Sequence, residues 1–198
     1  MPANIYLVLN GNSIDDTNQI LGNDSSLDNK GIKYKDDLFN FFYNENIIND
    51  IIVLSSNEKK SKETFTFIHN KKELNYLNEI DYGDFNGKTK EYFFSSEDYG
   101  NYKYDIFNYK FKNGESYKDV KNRVLSIMFE LNKISDFDDV IICASKTVLQ
   151  NIYGILNDVP DTKIPYINFN YKSIIKIKQG FDGFHSDIID LNLNSYQF

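Results

Sequence analysis

The stretch "IYLVLNGNS", residues 5–13, decides the fold: an apolar, aromatic and β-branched run that stops abruptly at Leu9-Asn10-Gly11. Short runs of this kind, bounded by polar residues, read as strands buried on both faces, as in parallel sheets. Two more follow, "DIIVLSS" (50–56) and "DDVIICAS" (138–145), and "KSIIKIKQG" (172–180) with "HSDIIDLNL" (185–193) reads as a closing pair. Between them lie helical patterns. "SLDNKGIKYKDDLFNFF" (26–42) spaces Tyr34, Leu38, Phe41 and Phe42 on one face, with Asp28 as N-cap. "NEKKSKETFTFI" (57–68) and "KTVLQNIYGIL" (146–156) are shorter amphipathic segments. Tyr117, Val120, Val124, Ile127, Met128 and Leu131 predict one helix over 117–131, opened by a Ser116/Asp119 capping box. Residues 71–112 show no clear period. Alternating strands and helices predict an α/β domain whose mostly parallel central sheet is flanked by helices in three layers.

The bulk properties narrow the function. At 198 residues the chain suits a single domain, 1–198, and no repeat or linker divides it. A net charge of −7 argues against nucleic acid or an anionic membrane as partner. No apolar run is long enough to span a bilayer and no secretory leader opens the chain, so a cytoplasmic location is expected. The single cysteine, Cys143, fits a reducing compartment and reads as a buried strand residue. Asparagine and lysine abound, as from an AT-rich genome, and Arg123 is the one arginine; the histidines are His69 and His185. No site that needs several imidazoles or guanidinium groups can be assembled from these.

Ligands of open α/β sheets bind beyond the carboxyl ends of the strands. The ends here are Leu9-Asn10-Gly11, Ser55-Ser56 and Cys143-Ala144-Ser145. "LNGNS … GNDSSLDNKG" resembles the opening Arg-His-Gly-Glu-Ser … Leu-Ser-x-x-Gly of the histidine phosphatase (phosphoglycerate-mutase-like) superfamily, and most resembles its fructose-2,6-bisphosphatase domains. "SSNEKKSKET" (55–64) falls on Ser-x-x-x-Arg-x-x-x-Thr, and "LNEIDYG" (77–83) on Leu-Asn-Glu-Ile-Asp-x-Gly. "NGESYKDV" (113–120), "VIICAS" (140–145) and "IPYINFNYKSIIKI" (164–177) match in order, so the resemblance covers residues 4–178.

The resemblance implies phosphoryl transfer to a histidine, two arginines and a second histidine on the phosphate oxygens, and a glutamate as general acid. At those positions stand Asn10 for the nucleophile, Leu9 and Lys60 for the arginines, Ala144 for the second histidine, and an unchanged Glu79. An amide nitrogen has its lone pair delocalised into the carbonyl, and losing the nucleophile of a concerted site costs on the order of 10⁶ in rate. Leu offers no guanidinium fork, and Lys keeps charge without bidentate geometry. Arg123 lies inside a helix, His69 follows the second helix and His185 precedes the last strand, so none replaces the lost groups. Ser55, Ser56 and Cys143 have no base beside them.

The expectation is therefore a catalytically inactive fructose-2,6-bisphosphatase-like domain. Its roles would be regulation, scaffolding or weak binding of a phosphate or sugar phosphate in sugar-phosphate metabolism. The alternative is an active, atypical phosphatase, a phosphoric monoester hydrolase. Phosphate-binding candidates are Asn10, Gly11, Lys60, Glu79, Ser145 and Lys146, with Tyr117 for the substrate pocket; no cofactor or metal is expected. In the bland reading Lys60 and Glu79 pair across an empty pocket. The aromatic stretch Tyr99–Phe111 falls where the relatives carry a lid, but aromatic bias and packing of a long insertion explain it better. Bifunctional relatives join this domain to a kinase domain. No Gly-x-x-x-x-Gly-Lys-Ser/Thr loop occurs here, so the chain reads as an excised domain or a free-standing relative, with a kinase domain or another protein as possible partner.

Overall fold

One six-stranded sheet, ordered β3-β2-β4-β1-β5-β6, organises the molecule. The structure is a computed structural model that describes residues 1–48, 51–136, 138–181 and 183–191. The strands are β1 (Asn4–Leu9), β2 (Ile52–Ser55), β3 (Lys71–Glu73), β4 (Asp139–Ala144), β5 (Ser173–Gly180) and β6 (Gly183–Asp190). β1 to β4 run parallel, β5 is antiparallel to β1, and β6 returns antiparallel to β5.

The β1 run is apolar throughout because both faces are covered. Ile5, Leu7 and Leu9 join a core with Val120, Val124, Val148 and Ile152. Tyr6 and Val8 join Tyr34, Leu38, Phe42 and Phe65 on the other face. The layers are thus α6 (Tyr117–Val124), α7 (Ile127–Lys133) and α8 (Lys146–Leu156) on one side, and α2 (Asn29–Asn44) and α3 (Lys59–Thr64) on the other. The short α1 (Ile14–Thr17), α4 (Lys90–Phe94) and α5 (Asp98–Tyr104) complete the set.

The caps are those the sequence predicts. Asp28 accepts from Gly31 N at the start of α2, and Ser116 and Asp119 form a reciprocal capping box. α2 lies so close to the β1 exit that a Cβ on Gly31 would sit 2.2 Å from Asn12 O. Only glycine fits there.

Three expectations from the sequence are corrected. The predicted helix over 117–131 is two helices that meet at Leu125–Ser126, where Ser126, Met128 and Phe129 bond three residues back. The tighter winding keeps Ile127 and Leu131 buried, so the apolar period runs through the junction without marking it. The last strand begins at Gly183, ahead of His185; the predicted 192–193 end lies outside the described residues. The irregular stretch 71–112 contains β3, α4 and α5. β3 carries only exposed residues and so leaves no apolar signature.

Candidate functional site

The register of β1 on β4 builds the site. Leu9 pairs with Ala144, and Asn10 N donates to Ala144 O at 3.1 Å. Both chains then leave the sheet at the same level, one toward α1 and the other, through N-cap Ser145, into α8. Beyond these strand ends lies a cavity of about 460 Å³. Leu9, Asn10, Lys60, Glu79, Ser145 and Lys146 all line it, so the fold brings together most of the residues that the sequence singles out.

Lys60 is 4 % exposed, and its Nζ stands 2.6 Å from Glu79 Oε2 and 3.8 Å from Asp16 Oδ1. Burial alone would lower its basicity, but the carboxylates of Glu79, Asp16 and Glu58 outweigh burial and keep the ammonium protonated. Tyr82 donates to Glu79 Oε1 at 3.3 Å. Burial, then Glu79, push that phenol well above its usual range. Both oxygens of Glu79 are thereby engaged.

Asn10 is buried, and its Nδ2 donates to Ser61 Oγ at 3.3 Å. From Ser61 a hydrogen-bonded chain runs to Ser56 Oγ at 2.7 Å and Glu58 Oε2 at 2.9 Å. Burial, then Glu79, raise the Glu58 carboxyl. Cys143 is fully buried, and desolvation pushes its thiol up, so it is no nucleophile at neutral pH.

Three residues singled out from the sequence fall outside the cavity wall. Gly11 N already donates to Thr64 Oγ1 at 2.7 Å, which removes it from the anion-binding set. Ala144 is wholly buried in the core. Tyr117 stands one layer back: its hydroxyl donates to Gln150 Oε1 at 3.1 Å, and Gln150 in turn donates to Pro165 O and Ile167 O.

The cavity also holds residues that reading the sequence does not find. Asp16 is legible in principle, since Ser13-x-x-Asp16 is a capping box; one of its oxygens closes that box and the other faces Lys60. Asn12, Lys90 at the start of α4, and the neighbouring Asn170 and Tyr171 arrive from three separate segments and carry no local signal. Among the described residues neither Lys90 nor Lys146 makes an ion pair. The Ser145 hydroxyl is buried without a hydrogen-bond partner.

Arg123 is committed elsewhere, and its commitment is structural. It forks onto Glu115 at 2.7 and 3.0 Å and donates to the carbonyls of Tyr76, Asn78 and Glu79. The lone guanidinium thus clamps the loop that presents Glu79. His69 lies before β3, in a separate groove with Phe39, Tyr43 and Phe67. His185 lies within β6. Neither lines the site. Among the described residues no group of three His, Cys, Asp or Glu side chains is placed to hold a metal ion, and no helix is long and apolar enough to cross a membrane.

Comparison with known proteins agrees with this fold. The family description "Histidine phosphatase superfamily (branch 1)" matches residues 6–191. The fructose-2,6-bisphosphatase of Saccharomyces cerevisiae is 29 % identical over 183 residues, covering 89 % of this chain and 39 % of the yeast protein. The 6-phosphofructo-2-kinase/fructose-2,6-bisphosphatase of Caenorhabditis elegans is also 29 % identical, covering 98 % of this chain and 43 % of its own. The chain therefore spans about two-fifths of the length of these relatives. Among solved structures, the alpha-ribazole phosphatase of Shigella flexneri superposes with a TM-score of 0.81 at 16 % identity, covering 94 % of this chain and 96 % of that one. The chain belongs to the histidine phosphatase superfamily, and its fold is phosphoglycerate-mutase-like.

Proposed function

We propose that the chain is a catalytically inactive fructose-2,6-bisphosphatase-like domain that keeps a pocket for one phosphorylated ligand. The Lys60–Glu79 ion pair carries this reading. It joins the retained acid to the one cation left in the catalytic centre, while Asp16 adds a second carboxylate to the same ammonium. A phosphoryl group placed there would meet two carboxylates and a neutralised lysine. The group at the nucleophile's position, Asn10, is an amide tied to Ser61. Ser145 carries the one buried, unpartnered hydroxyl on the cavity wall among the described residues, and with no base bonded to it the hydroxyl stays un-ionised.

The outer half of the cavity supports ligand binding. The first turn of α8 presents free N–H groups, and Ser145, Lys146 and Lys90 supply a donor and two unpaired cations. That set suits one phosphate and is too sparse for a bisphosphate. The role is regulatory or scaffolding, in the cytoplasm, beside a kinase domain or another protein. The test is a pair of measurements at constant ionic strength. Hydrolysis of fructose 2,6-bisphosphate and of an aryl phosphate is expected at background. Thermal unfolding is expected to shift saturably with inorganic phosphate or fructose 6-phosphate, by about 2.7 kcal/mol at a hundred times the dissociation constant. Lys146→Ala with Lys90→Ala abolishes the shift. Turnover that vanishes on Glu79→Gln identifies the chain as an active, atypical phosphatase and refutes the proposal.

A further inference from the structure

The two edges of the sheet are guarded very differently. β3 is three residues long and reads Lys-Lys-Glu, a short charged edge of the kind that discourages pairing with another chain. β6 is eight residues long, pairs with β5 without interruption from Ser173↔Asp190 to Gly180↔Gly183, and contains neither lysine nor proline. Among the described residues no strand lies on its outer side. Ile188 on this strand is 71 % exposed, and Phe181 in the adjoining turn is fully exposed.

The hydrogen-bond parity of this edge is fixed. Leu191 N donates to Lys172 O, and this pair continues the β5–β6 register. Odd-numbered residues of β6 therefore bond to β5, and Phe184, Ser186, Ile188 and Asp190 direct their N–H and C=O groups outward. We propose that β6 pairs antiparallel with β6 of a second copy of this chain, about a two-fold axis through Ser186 perpendicular to the sheet, joining two sheets into one.

Charge and shape select this register. Centring the axis on Asp187 would oppose two carboxylates, and centring it on His185 would oppose two imidazoles. Centring on Ser186 sets His185 against Asp187 of the second copy, twice, at the close non-hydrogen-bonded positions. It also sets Phe184 against Ile188 of the second copy, twice, which covers the exposed isoleucine. On its other side Asp187 faces Lys176 of β5, so its carboxylate stands between two basic side chains. Phe184 is half-buried against the chain's own core and needs no movement to take part.

Sedimentation equilibrium of the chain from about 10 µM to about 1 mM tests this, the range suited to an interface below the standard size. A monomer–dimer equilibrium is expected. Ile188→Lys, at a solvent-exposed site, abolishes dimerisation and leaves the far-UV spectrum and the melting temperature of the dilute, monomeric chain unchanged. His185→Asp weakens the dimer about tenfold, and adding Asp187→His restores it. A chain that stays monomeric across that range overturns the proposal, as does a dimer indifferent to Ile188→Lys. A double exchange that fails to rescue overturns the register.

Discussion

Replacing Lys60 by methionine tests the reading of the catalytic centre most directly. The side chain is 4 % exposed and Glu79 is 20 % exposed, so removing the ammonium leaves an uncompensated, largely buried carboxylate with Asp16 3.8 Å from the same position. Breaking a buried pair from one side costs about 3–5 kcal/mol, and the residual exposure of Glu79 puts the expectation near the lower end, about 3 kcal/mol. For a domain of this size that is a fall of about 6–12 °C in melting temperature. The double change Lys60→Met with Glu79→Gln removes both charges at once and is expected to recover most of the loss, because a neutral, well-packed replacement of a buried pair is close to neutral. Burial lowers the Lys60 ammonium, but Glu79 and Asp16 more than reverse this, so its folded-state pKa lies above the unfolded one. The stabilisation is therefore complete through neutral pH and disappears only in strong alkali. Urea unfolding at pH 7, reading midpoints at unchanged slope, decides the matter. A single variant as stable as the parent, or a double variant no better than the single, refutes the argument.

Three further perturbations follow from the same geometry. Installing the family's catalytic residues with Leu9→Arg, Asn10→His, Lys60→Arg and Ala144→His is expected to give no turnover in a fructose 2,6-bisphosphate hydrolysis assay. Ala144 is wholly buried, and an imidazole there overpacks the core by about 1–3 kcal/mol; an unfolding curve checks that cost. Glu58→Gln is expected to stabilise at pH 7 and to have no effect below about pH 4. Burial and Glu79 raise its carboxyl pKa, so the native state is penalised only once the unfolded chain has given up that proton; unfolding midpoints across the pH range show it. Arg123→Met is expected to cost about 2–3 kcal/mol, since it removes charged hydrogen bonds to Glu115 and to three carbonyls of the 76–79 loop. Hydrogen exchange should report loosening at those three residues first.

Most of the sheet is legible in the sequence because its strands are covered on both faces, which writes a continuous apolar run into β1, β2 and β4. β3 is illegible for the opposite reason: none of its three residues is buried, so nothing constrains their polarity. The junction between α6 and α7 is hidden because a locally tighter turn preserves the apolar face on either side. At the site, Asn10 and Ser145 can be placed from strand ends, whereas Lys60 and Glu79 are found only through the resemblance to the family's motifs. Gly11 misleads because Thr64, which takes its N–H, lies on a different helix more than fifty residues away. Lys90, at the start of α4, and Asn170, from the segment before β5, reach the cavity through a tertiary path with no periodic trace. Position within a helix is enough to set Arg123 aside as a phosphate ligand, but its grip on the Glu79 loop depends on packing of α6 against the turn at Asn75–Leu77.

The substitutions at the centre make sense as one electrostatic change. A site that holds a phosphate dianion needs an excess of fixed positive charge, because each unscreened carboxylate in a poorly solvated pocket opposes the ligand. With Leu9 and Ala144 contributing no charge, the inner cavity is left with Lys60 against Glu79 and Asp16, a deficit of positive charge. An isolated glutamate there would be held at a desolvation cost, and Lys60 removes that cost by pairing with it. The acid and the lysine thus stabilise each other, and on the proposed reading they close the inner site to anions. The unpaired, exposed Lys90 and Lys146 lie along the rim instead, next to the buried, unpartnered Ser145 hydroxyl. On the proposed reading, the ligand therefore sits apart from the catalytic positions along one cavity. A phosphate titration whose affinity depends on Lys146 and is indifferent to Lys60→Met with Glu79→Gln would place the ligand on the rim. If Glu79→Gln, which leaves Lys60 facing Asp16 alone and removes the deficit, strengthens binding markedly, the inner charge was the barrier and the anion has moved back to the strand ends.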